Sequence, residues 1–274
     1  MFDRTEIITG SPGTLRLAES TVCVFGLGGV GAAAAMDLVR AGIGKLVVVD
    51  FDTVQESNLN RLYFGYRSAI GKKKTDAFAE YAKNINPNVD IEAHNALLSS
   101  LPEAQEPGGT EDSKKMYAGN IPEGCDFYLD CIDTLASKVA VIASLLEQGL
   151  PFASSMGMAG RIRPELVKTG SIWKTKGCPL AQRVRSRLRR LGFSEDAKRK
   201  RTGSEAGPSD GSRTADFVCV WSDEAPVKPR SSGLTGTTDS HGARVRAEQG
   251  SAPFVPQTAG HVMASICFRR LLGL

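Results

Sequence analysis

The chain has 274 residues, of which 41% are hydrophobic and 23% are charged, and its net charge is +4. This composition is ordinary for a soluble globular protein whose length can bury a sizeable core. No apolar run approaches the roughly 20 residues of a membrane span, and the N-terminus lacks the hydrophobic segment of a signal peptide, so we expect a cytoplasmic protein with no membrane partner. The six cysteines form no C-x-x-C pair, so we expect reduced thiols and no structural zinc.

Charge is distributed unevenly along the chain. Residues 1–150 carry 13 basic and 20 acidic side chains, a net charge of −7, whereas residues 151–274 carry 21 and 10, a net charge of +11. A basic C-terminal half predicts a polyanionic partner, with nucleic acid as the first candidate. An ordinary solvated surface is the alternative explanation.

Residues 21–52 show the pattern of strand, glycine-rich turn, helix and second strand. Residues 22–25 are apolar and β-branched, as in a buried parallel strand, and residues 30–41 are mostly helix formers. The turn between them contains Gly26, Gly28, Gly29 and Gly31. Such a turn lets the backbone approach a ligand closely, and the helix N-terminus that follows attracts phosphate. Asp50 follows the second strand, residues 45–49, where a carboxylate can bind ribose hydroxyls. A turn that binds no ligand is the alternative.

Helices and strands continue to alternate through the first half of the chain. Residues 1–20 are expected to contain a short helix with Leu15 and Leu17 facing the core. Further helices are predicted over residues 68–86 and 136–148, and strands over residues 89–93, 127–131 and 151–154. This alternation predicts an α/β fold with a Rossmann-like, doubly wound, mostly parallel sheet.

Beyond residue 157 the pattern changes, and we expect a short antiparallel and helical C-terminal part. Antiparallel strands are predicted over residues 166–169 and 171–173, helices over residues 180–191 and 258–272, and a strand over residues 217–222. The last helix is expected to bury Val262, Ile266 and Leu271. Residues 101–120, 194–215 and 229–250 have the composition of inserts or altered loops.

Polar side chains near the glycine-rich turn form a recognisable set: Asp50, Asp52, Asn58, Arg61, Lys74 and Asp133. In a doubly wound sheet these residues lie together at the carboxyl ends of the strands, where ligands bind. Two cations, an amide and separated carboxylates around a phosphate cradle favour a triphosphate site, in which the cations neutralise phosphate charge and a carboxylate holds Mg²⁺. A structural ion-pair network is the alternative.

Five short motifs resemble the E1-like adenylyltransferases. They are G-L-G-G-V-G from Gly26, D-F-D from Asp50, S-N-L-N-R from Ser57, G-K-K-K from Gly71 and D-C-I-D from Asp130. Enzymes of this family, which includes the ubiquitin-activating enzymes, adenylate a carboxylate with Mg-ATP and release pyrophosphate. The resemblance therefore implies an ATP-dependent enzyme.

The resemblance also implies roles for particular residues. Asp50 would bind the ribose, Asp133 would hold Mg²⁺, and Asn58, Arg61 and Lys74 would contact the phosphates. The ATP site would comprise Gly26, Gly28, Gly29, Gly31, Asp50, Asp52, Asn58, Arg61 and Lys74. Arg4, in F-D-R-T-E, is similar to an N-terminal arginine that in several members reaches the ATP of a partner subunit. The catalytic set would then be Arg4, Arg61, Lys74 and Asp133, in a homodimer.

Motifs of the second half are similar to one branch of the family, which dehydrates threonylcarbamoyladenosine in tRNA. They are K-T-K-G-C-P-L-A from Lys174, V-C-V-W-S-D-E from Val218 and F-V-P-Q-T-A-G-H-V-M-A-S from Phe254. The similarity implies an ATP-binding half, residues 1–157, and a basic tRNA-binding half, residues 158–274, of one E1-like domain. The arginine-rich helix would bind tRNA through Arg183, Arg185, Arg187, Arg189 and Arg190. A sulfur-relay or carrier-protein partner is also conceivable.

Three other functions share some of these residues. A NAD-dependent oxidoreductase could use the first βαβ unit, although S-N-L-N-R and Lys74 suit a triphosphate better than a nicotinamide. An E1-like enzyme could instead activate the C-terminus of a ubiquitin-like or sulfur-carrier protein. A nucleotide-regulated tRNA-binding module would bind without turnover. Cys178 and Cys219 are candidates for thioester nucleophiles, but we expect buried, inert thiols.

Overall fold

The computed structural model describes residues 1–96, 121–195, 213–227 and 250–274. The predicted insert 101–120 and most of the stretches 194–215 and 229–250 lie outside these ranges. The helices are α1 (Asp3–Glu19), α2 (Gly29–Ala41), α3 (Lys74–Ile85), α4 (Leu135–Glu147), α5 (Pro179–Arg190) and α6 (Phe254–Leu272). The strands are β1 (Thr21–Phe25), β2 (Lys45–Val49), β3 (Asp90–His94), β4 (Phe127–Asp130), β5 (Phe152–Ser155), β6 (Val167–Ser171), β7 (Phe193–Ser194), β8 (Arg213–Thr214) and β9 (Val218–Ser222).

A seven-stranded sheet forms the centre of the fold, in the order β3-β2-β1-β4-β5-β9-β6. Its neighbours pair in parallel except β6 and β9, which pair antiparallel. The chain winds outward from β1 to β3 and then crosses to β4, so that the topological switch point lies between β1 and β4. The predicted fold class, a doubly wound and mostly parallel sheet that continues into an antiparallel part, is confirmed.

Helices cover both faces of the sheet and bury two apolar layers. Helix α6 packs against α2 so closely that a Cβ atom at Gly260 would lie 2.4 Å from the carbonyl oxygen of Val30. Met263 and Cys267 of the same helix are fully buried, whereas Val262 is only half-buried. Ile266 and Leu271 are buried as predicted, whereas Val262 is only partly buried against the same core, so the prediction for Val262 is correct only in part. The closing helix also begins at Phe254, four residues earlier than predicted, because Pro256 fits its first turn.

Two elements in the first half differ from the sequence prediction. Helix α1 is long and kinked at Gly10, which has a φ of 67°. Leu17 is fully buried, as predicted, but Leu15 is 62% exposed and does not face the core. Helix α3 begins only at Lys74, because Ser68 lies in the separate 3-10 turn Arg67–Ala69.

The antiparallel part also differs from the prediction. Residues 166–169 and 171–173 do not form two strands. They form the single strand β6 followed by the 3-10 turn Ile172–Lys174. The antiparallel partner of β6 is β9, which is distant in sequence, and the pairing register therefore could not be read from local pattern. Among the described residues, no helix combines the length and the apolarity needed to cross a membrane.

Candidate active site

A cavity of about 670 Å³ opens at the carboxyl ends of β1, β2, β4 and β5. Nine of the predicted site residues line it: Gly26, Gly28, Gly29, Asp50, Asp52, Asn58, Arg61, Lys74 and Asp133. The structure thus brings together residues that are spread over more than 100 positions. Of the other predicted site residues, Arg183 also lines the cavity, whereas Gly31 and Arg4 do not.

The glycine-rich turn forms one wall of this cavity. Gly26 has a φ of 86°, which favours glycine, and its N–H donates to the carbonyl of Val49 at 2.8 Å. A Cβ atom at Gly31 would lie 1.8 Å from the carbonyl oxygen of Gly26, so this glycine allows α2 to approach β1 without touching the cavity itself. A Cβ at Gly28 would meet no atom within 4 Å. The turn therefore presents open backbone at the N-terminus of α2, a geometry that suits phosphate.

Asp50 and Lys74 form the buried base of the predicted nucleotide side, which is the part of the cavity lined by the glycine-rich turn, Asp52, Asn58, Arg61 and Asp133. The Asp50 carboxylate accepts hydrogen bonds from the backbone N–H groups of Leu27 at 2.6 Å and Asp52 at 2.8 Å. Lys74 Nζ lies 2.7 Å from Asp52 Oδ2 and 3.9 Å from Asp50 Oδ1. Burial raises the pKa of Asp50, and Lys74 and the two N–H groups partly oppose that shift. Asp50 therefore braces the glycine-rich turn directly.

Asn58 and Arg61 lie on the loop that follows β2. The side chain of Asn58 accepts from the backbone N–H of Gln55 at 3.2 Å. Arg61 Nη1 donates to the carbonyl of Ser57 and to Asn60 Oδ1, both at 2.9 Å. Within the described residues Arg61 forms no ion pair, so its charge is available to an anion in the cavity. Its aliphatic stem lies against Gly29, where a Cβ would be 3.2 Å from it.

Asp133 lies beyond the end of β4, two residues before α4, and its side chain is exposed to the cavity. A buried cluster fixes the backbone just before it. Asp130 and Lys138 are both fully buried, with Lys138 Nζ 2.5 Å from Asp130 Oδ2, and the hydroxyl of Ser154 donates to the same oxygen at 2.6 Å. Asp130 Oδ1 also accepts from the N–H of Ile132 at 3.1 Å. This cluster holds the turn that carries Asp133.

Sequence reasoning missed the Asp130–Lys138–Ser154 cluster. An acid at the end of a buried strand, followed eight residues later by a lysine within an otherwise apolar helix, is the signal that could have found it. Such a lysine cannot reach solvent from the buried face of α4, so it requires a nearby carboxylate.

A second group of residues, absent from the predictions, lines the side of the cavity beyond β5. This compartment of the cavity includes Met156, Gly157, Met158, Arg161, Pro179, Leu180 and Pro226, with Arg183 at its edge. Arg161 is only 2% exposed, and Nε donates to the carbonyl of Glu224 at 3.0 Å. The acidic lining residues, Asp50, Asp52 and Asp133, all belong to the other side. The two sides of the cavity therefore differ in charge.

The five predicted tRNA-binding arginines lie on α5 but are not equivalent. Arg183, Arg187 and Arg190 are exposed. Arg185 is half-buried, because Nη1 donates to the carbonyls of Ile172 at 3.2 Å and Thr175 at 3.1 Å and also to the Thr175 hydroxyl. Burial lowers the pKa of Arg185. Arg189 lies over the Trp173 ring at 5.0 Å. Among the described residues, the arginines of α5 whose guanidinium groups have no such contact are Arg183, Arg187 and Arg190.

Comparison with known proteins places the chain in a family. The model of the ThiF family matches residues 2–180. The chain belongs to the ThiF family. The tRNA threonylcarbamoyladenosine dehydratase of Bacillus subtilis (strain 168) is 28% identical over 264 residues, covering 96% of this chain and 91% of the relative. The enzyme of the same name from Escherichia coli (strain K12) is 28% identical over 277 residues, covering 99% and 93%.

Two solved structures similar to this ThiF-family chain contain a nucleotide. The crystal structure of the Escherichia coli dehydratase in complex with AMP matches with a TM-score of 0.76 and 27% identity, over 98% of this chain and 93% of that chain. The structure of that enzyme with ATP matches with a TM-score of 0.75 and 25% identity, over 99% and 93%. The resemblance to E1-like enzymes is therefore confirmed, and so is the fold.

The thiols of this ThiF-family chain differ in their surroundings. All six cysteines are free. Cys219 is fully buried in β9, and burial raises its pKa to about 12. Such a thiol is not a nucleophile at neutral pH. Cys178 precedes α5 and lines the cavity, but it is only 5% exposed.

Protein groups alone do not form a metal centre in the described residues, since no group of three or more His, Cys, Asp or Glu side chains could hold an ion. Mg²⁺ does not require such a group, because it keeps several waters and is usually bound through one or two carboxylates and substrate phosphates. The exposed carboxylate of Asp133, beside an open phosphate cradle, fits that mode of binding.

Proposed function

We propose that this chain is an ATP-dependent enzyme that dehydrates N6-threonylcarbamoyladenosine in tRNA, closing it to a ring. The observation that carries the proposal is the single cavity in which a phosphate cradle at Gly28 and Gly29 adjoins a compartment that contains Arg161 and Arg183. Joining a nucleotide to a carboxylate requires both groups to be held side by side. Similarity over nearly the full length to two dehydratases of this name supports the choice of substrate.

The reaction has two steps. In the first, an oxygen of the threonyl carboxylate attacks the α-phosphorus of ATP, and pyrophosphate leaves. In the second, an atom of the neighbouring carbamoyl group attacks the activated carbonyl, AMP leaves with the former carboxylate oxygen, and a proton is released. The net change in the substrate is the loss of one water. Ring closure is intramolecular, so it needs no protein nucleophile and benefits from high effective molarity. The burial of Cys219 is compatible with this scheme.

The residues of the nucleotide side divide the binding of ATP among them. Arg61 and Lys74 offset phosphate charge, Asn58 donates to a phosphate oxygen, and Asp50 accepts from the ribose hydroxyls while it braces the glycine-rich turn. Asp133 would hold Mg²⁺, which neutralises charge on the phosphates. Preorganised cations of this kind stabilise the charge that develops on the leaving pyrophosphate.

The basic half, residues 158–274, binds the tRNA in this proposal. The exposed Arg183, Arg187 and Arg190 of α5 contact phosphates, whereas Arg185 positions the helix through Thr175. Because phosphate contacts release counterions, the affinity for tRNA falls with salt. The reaction takes place in the cytoplasm, where free thiols are stable.

The enzyme acts as a homodimer in this proposal, with Arg4 completing the site of the partner. Arg4 is exposed at the start of α1 and does not line the cavity of its own chain. The same helix exposes Ile7, at 77%, and Ile8, at 82%. Exposed apolar residues beside Arg4 favour a protein interface there.

Mass spectrometry of nucleosides from tRNA tests the proposal. Threonylcarbamoyladenosine-containing tRNA, incubated with the protein and Mg-ATP, should yield a nucleoside that has lost one water, with equimolar AMP and pyrophosphate. Heavy oxygen placed in the carboxylate should appear in AMP. Formation of ADP, or of an adenylated carrier protein and no altered nucleoside, would contradict the assignment.

A matched pair of variants links the reaction to the cavity. Asp133→Asn should lower kcat by about 100-fold or more, because one group that stabilises developing charge is lost. Asp90→Asn removes another exposed carboxylate, on the edge strand β3 and outside the cavity lining, and it should retain activity. Equal activity of the two variants would remove Asp133 from the site.

A further inference from the structure

The buried guanidinium of Arg161 lacks a charged partner within the described residues. Nε donates to the carbonyl of Glu224 at 3.0 Å, and Nη1 donates to the carbonyls of Gly157 and of Ala159, the latter at 3.3 Å. Nη2 is buried and has no hydrogen-bond partner in the part of the chain that the structure describes. A buried polar group without a partner is uncommon, and a buried charge normally has a counter-charge. Arg161 therefore has the capacity to bind one further acceptor, preferably an anion.

A second positive feature converges on the same compartment. Helix α5 has 12 residues and directs its N-terminus at the cavity, with Cys178, Pro179 and Leu180 among the lining residues. A helix N-terminus carries partial positive charge. On this side of the cavity, the described lining residues include two arginines and no acid. The field in the compartment favours an anionic ligand.

The walls of the compartment are apolar. Met156 and Met158 are 3% and 5% exposed, and Pro179, Leu180 and Pro226 also line the compartment. Such side chains offer flat or adaptable surfaces to the faces of a heterocyclic ring. Chemistry on a base requires that the base leave its stack and enter a pocket, since the reacting atoms are otherwise inaccessible.

We propose that this compartment takes the modified adenine, turned out of the RNA, and that Arg161 binds the carboxylate of its threonyl group. The inference rests on the proposed function, which supplies the substrate. The apolar walls hold the ring, and Arg161 aligns the carboxylate beside the nucleotide at the glycine-rich turn. Arg161 is thus a specificity-determining residue, because an adenosine that lacks the carboxylate would leave the guanidinium unpaired.

A substitution at Gly157 changes the shape of the compartment without altering Arg161. A Cβ atom there would lie 3.4 Å from Leu180 Cβ, 3.7 Å from Cys178 Sγ and 3.9 Å from Arg161 Nη1, all ordinary contact distances. The backbone of Gly157 is not in the left-handed region. Gly157→Ala should therefore fold normally while it adds a methyl group between the helix N-terminus and Arg161.

Binding of free nucleosides tests the inference. Calorimetry would compare N6-threonylcarbamoyladenosine, its carboxamide and adenosine, each with a non-cleavable ATP analogue already bound. The full-length protein should bind the carboxylate-bearing nucleoside about tenfold or more tightly than the other two. Arg161→Gln should remove this preference, Arg161→Lys should restore part of it, and Arg163→Gln, at an exposed arginine paired with Glu165, should leave it unchanged.

Failure of this inference is distinguishable from failure of the proposed function. If the wild-type protein produces no dehydrated nucleoside from tRNA, the proposed function is wrong. If it does, and both Arg161→Gln and Gly157→Ala bind the nucleoside and turn over tRNA as the wild type does, the compartment is not the substrate site. If Arg161→Gln fails to fold, Gly157→Ala decides. If Gly157→Ala has a higher KM for tRNA than the wild type and the same affinity for ATP, the inference is supported. If its KM for tRNA is that of the wild type, the inference is overturned.

Discussion

At the scale of single residues, Lys74 is the buried cation that balances the carboxylates of the nucleotide side. Its ammonium group lies between Asp52 and the buried Asp50, and its side chain is 8% exposed. Removal of this cation would leave the buried carboxylate of Asp50 without a counter-charge, whereas removal of the half-exposed Asp52 would leave Asp50 and Lys74 paired. Lys74 therefore contributes to the stability of the folded protein, independently of the phosphate contact proposed for it.

Lys74→Met should destabilise the protein in a manner that depends on pH. At pH 7 we expect a loss of about 3–5 kcal/mol in the free energy of unfolding, because Asp50 loses its nearest cation. Burial already raises the pKa of Asp50 above its unfolded value, and removal of Lys74 raises it further. The loss of unfolding free energy is fully present above the pKa of Asp50 in the folded variant. It disappears below the pKa of Asp50 in the unfolded chain, which is about 4. Urea unfolding at pH 7 and at pH 4 measures it.

Two further variants identify the source of that penalty. Lys73→Met removes the exposed neighbouring lysine and should have little effect at either pH. The double variant Lys74→Met with Asp50→Asn should recover much of the stability at pH 7, since the uncompensated charge is gone. A loss at pH 4 as large as that at pH 7 would show that Asp50 is not the group affected.

At the scale of elements, the contact between α6 and α2 connects the end of the chain with the glycine-rich turn. Gly260 lies against the backbone of Val30, the second residue of α2. The nucleotide side is thus supported by a helix that follows it by more than 200 residues. A displacement of α6 at this point would move the N-terminus of α2, which lines the cavity.

Gly260→Ala should destabilise the protein and weaken ATP binding together. A new Cβ would lie 2.4 Å from the Val30 oxygen and 2.6 Å from Ala33 Cβ. Such overpacking costs about 1–3 kcal/mol, although alanine is favoured over glycine in an unhindered helix by about 1 kcal/mol. Urea unfolding and calorimetry with ATP measure the two effects. Ser265→Ala, on the exposed side of α6, is the control, and a Gly260→Ala protein as stable as the wild type would exclude a tight contact.

The exposed arginines of α5 give a second prediction at this scale. Charge reversal at Arg187 and Arg190 together should weaken tRNA binding at low salt and reduce the salt slope by about two, because two phosphate contacts are lost. Reversal at Arg40 and Lys83, exposed in the last turns of α2 and α3, changes net charge equally away from the cavity. Filter binding over a salt series compares the two proteins, and equal slopes would remove α5 from the interface.

At the scale of the whole molecule, the parts of the site that the sequence predicts are those that lie near strand ends. Gly26, Asp50 and Asp133 each follow a strand within a few residues, so a parallel sheet brings them together without further information. Among the described residues, the hydrogen bonds that hold Arg161 at the cavity are to Glu224, 63 residues away, and to its own loop. The antiparallel register of β6 on β9 is equally non-local, and neither feature has a periodic signal in the sequence.

The position of Arg4 leads to a prediction about subunits that share a site. If Arg4 serves the partner, each active site combines Asp133 of one subunit with Arg4 of the other. An Arg4→Ala dimer and an Asp133→Asn dimer then both lack a complete site. After unfolding and refolding as a mixture, the mixed dimers contain one site in which both residues are intact. Random pairing puts half of the subunits in mixed dimers, so activity should return to about a quarter of the wild-type value. If Arg4 instead acts in the site of its own subunit, the mixed dimers contain no complete site and no activity returns. Size-exclusion chromatography of each protein verifies that dimers form.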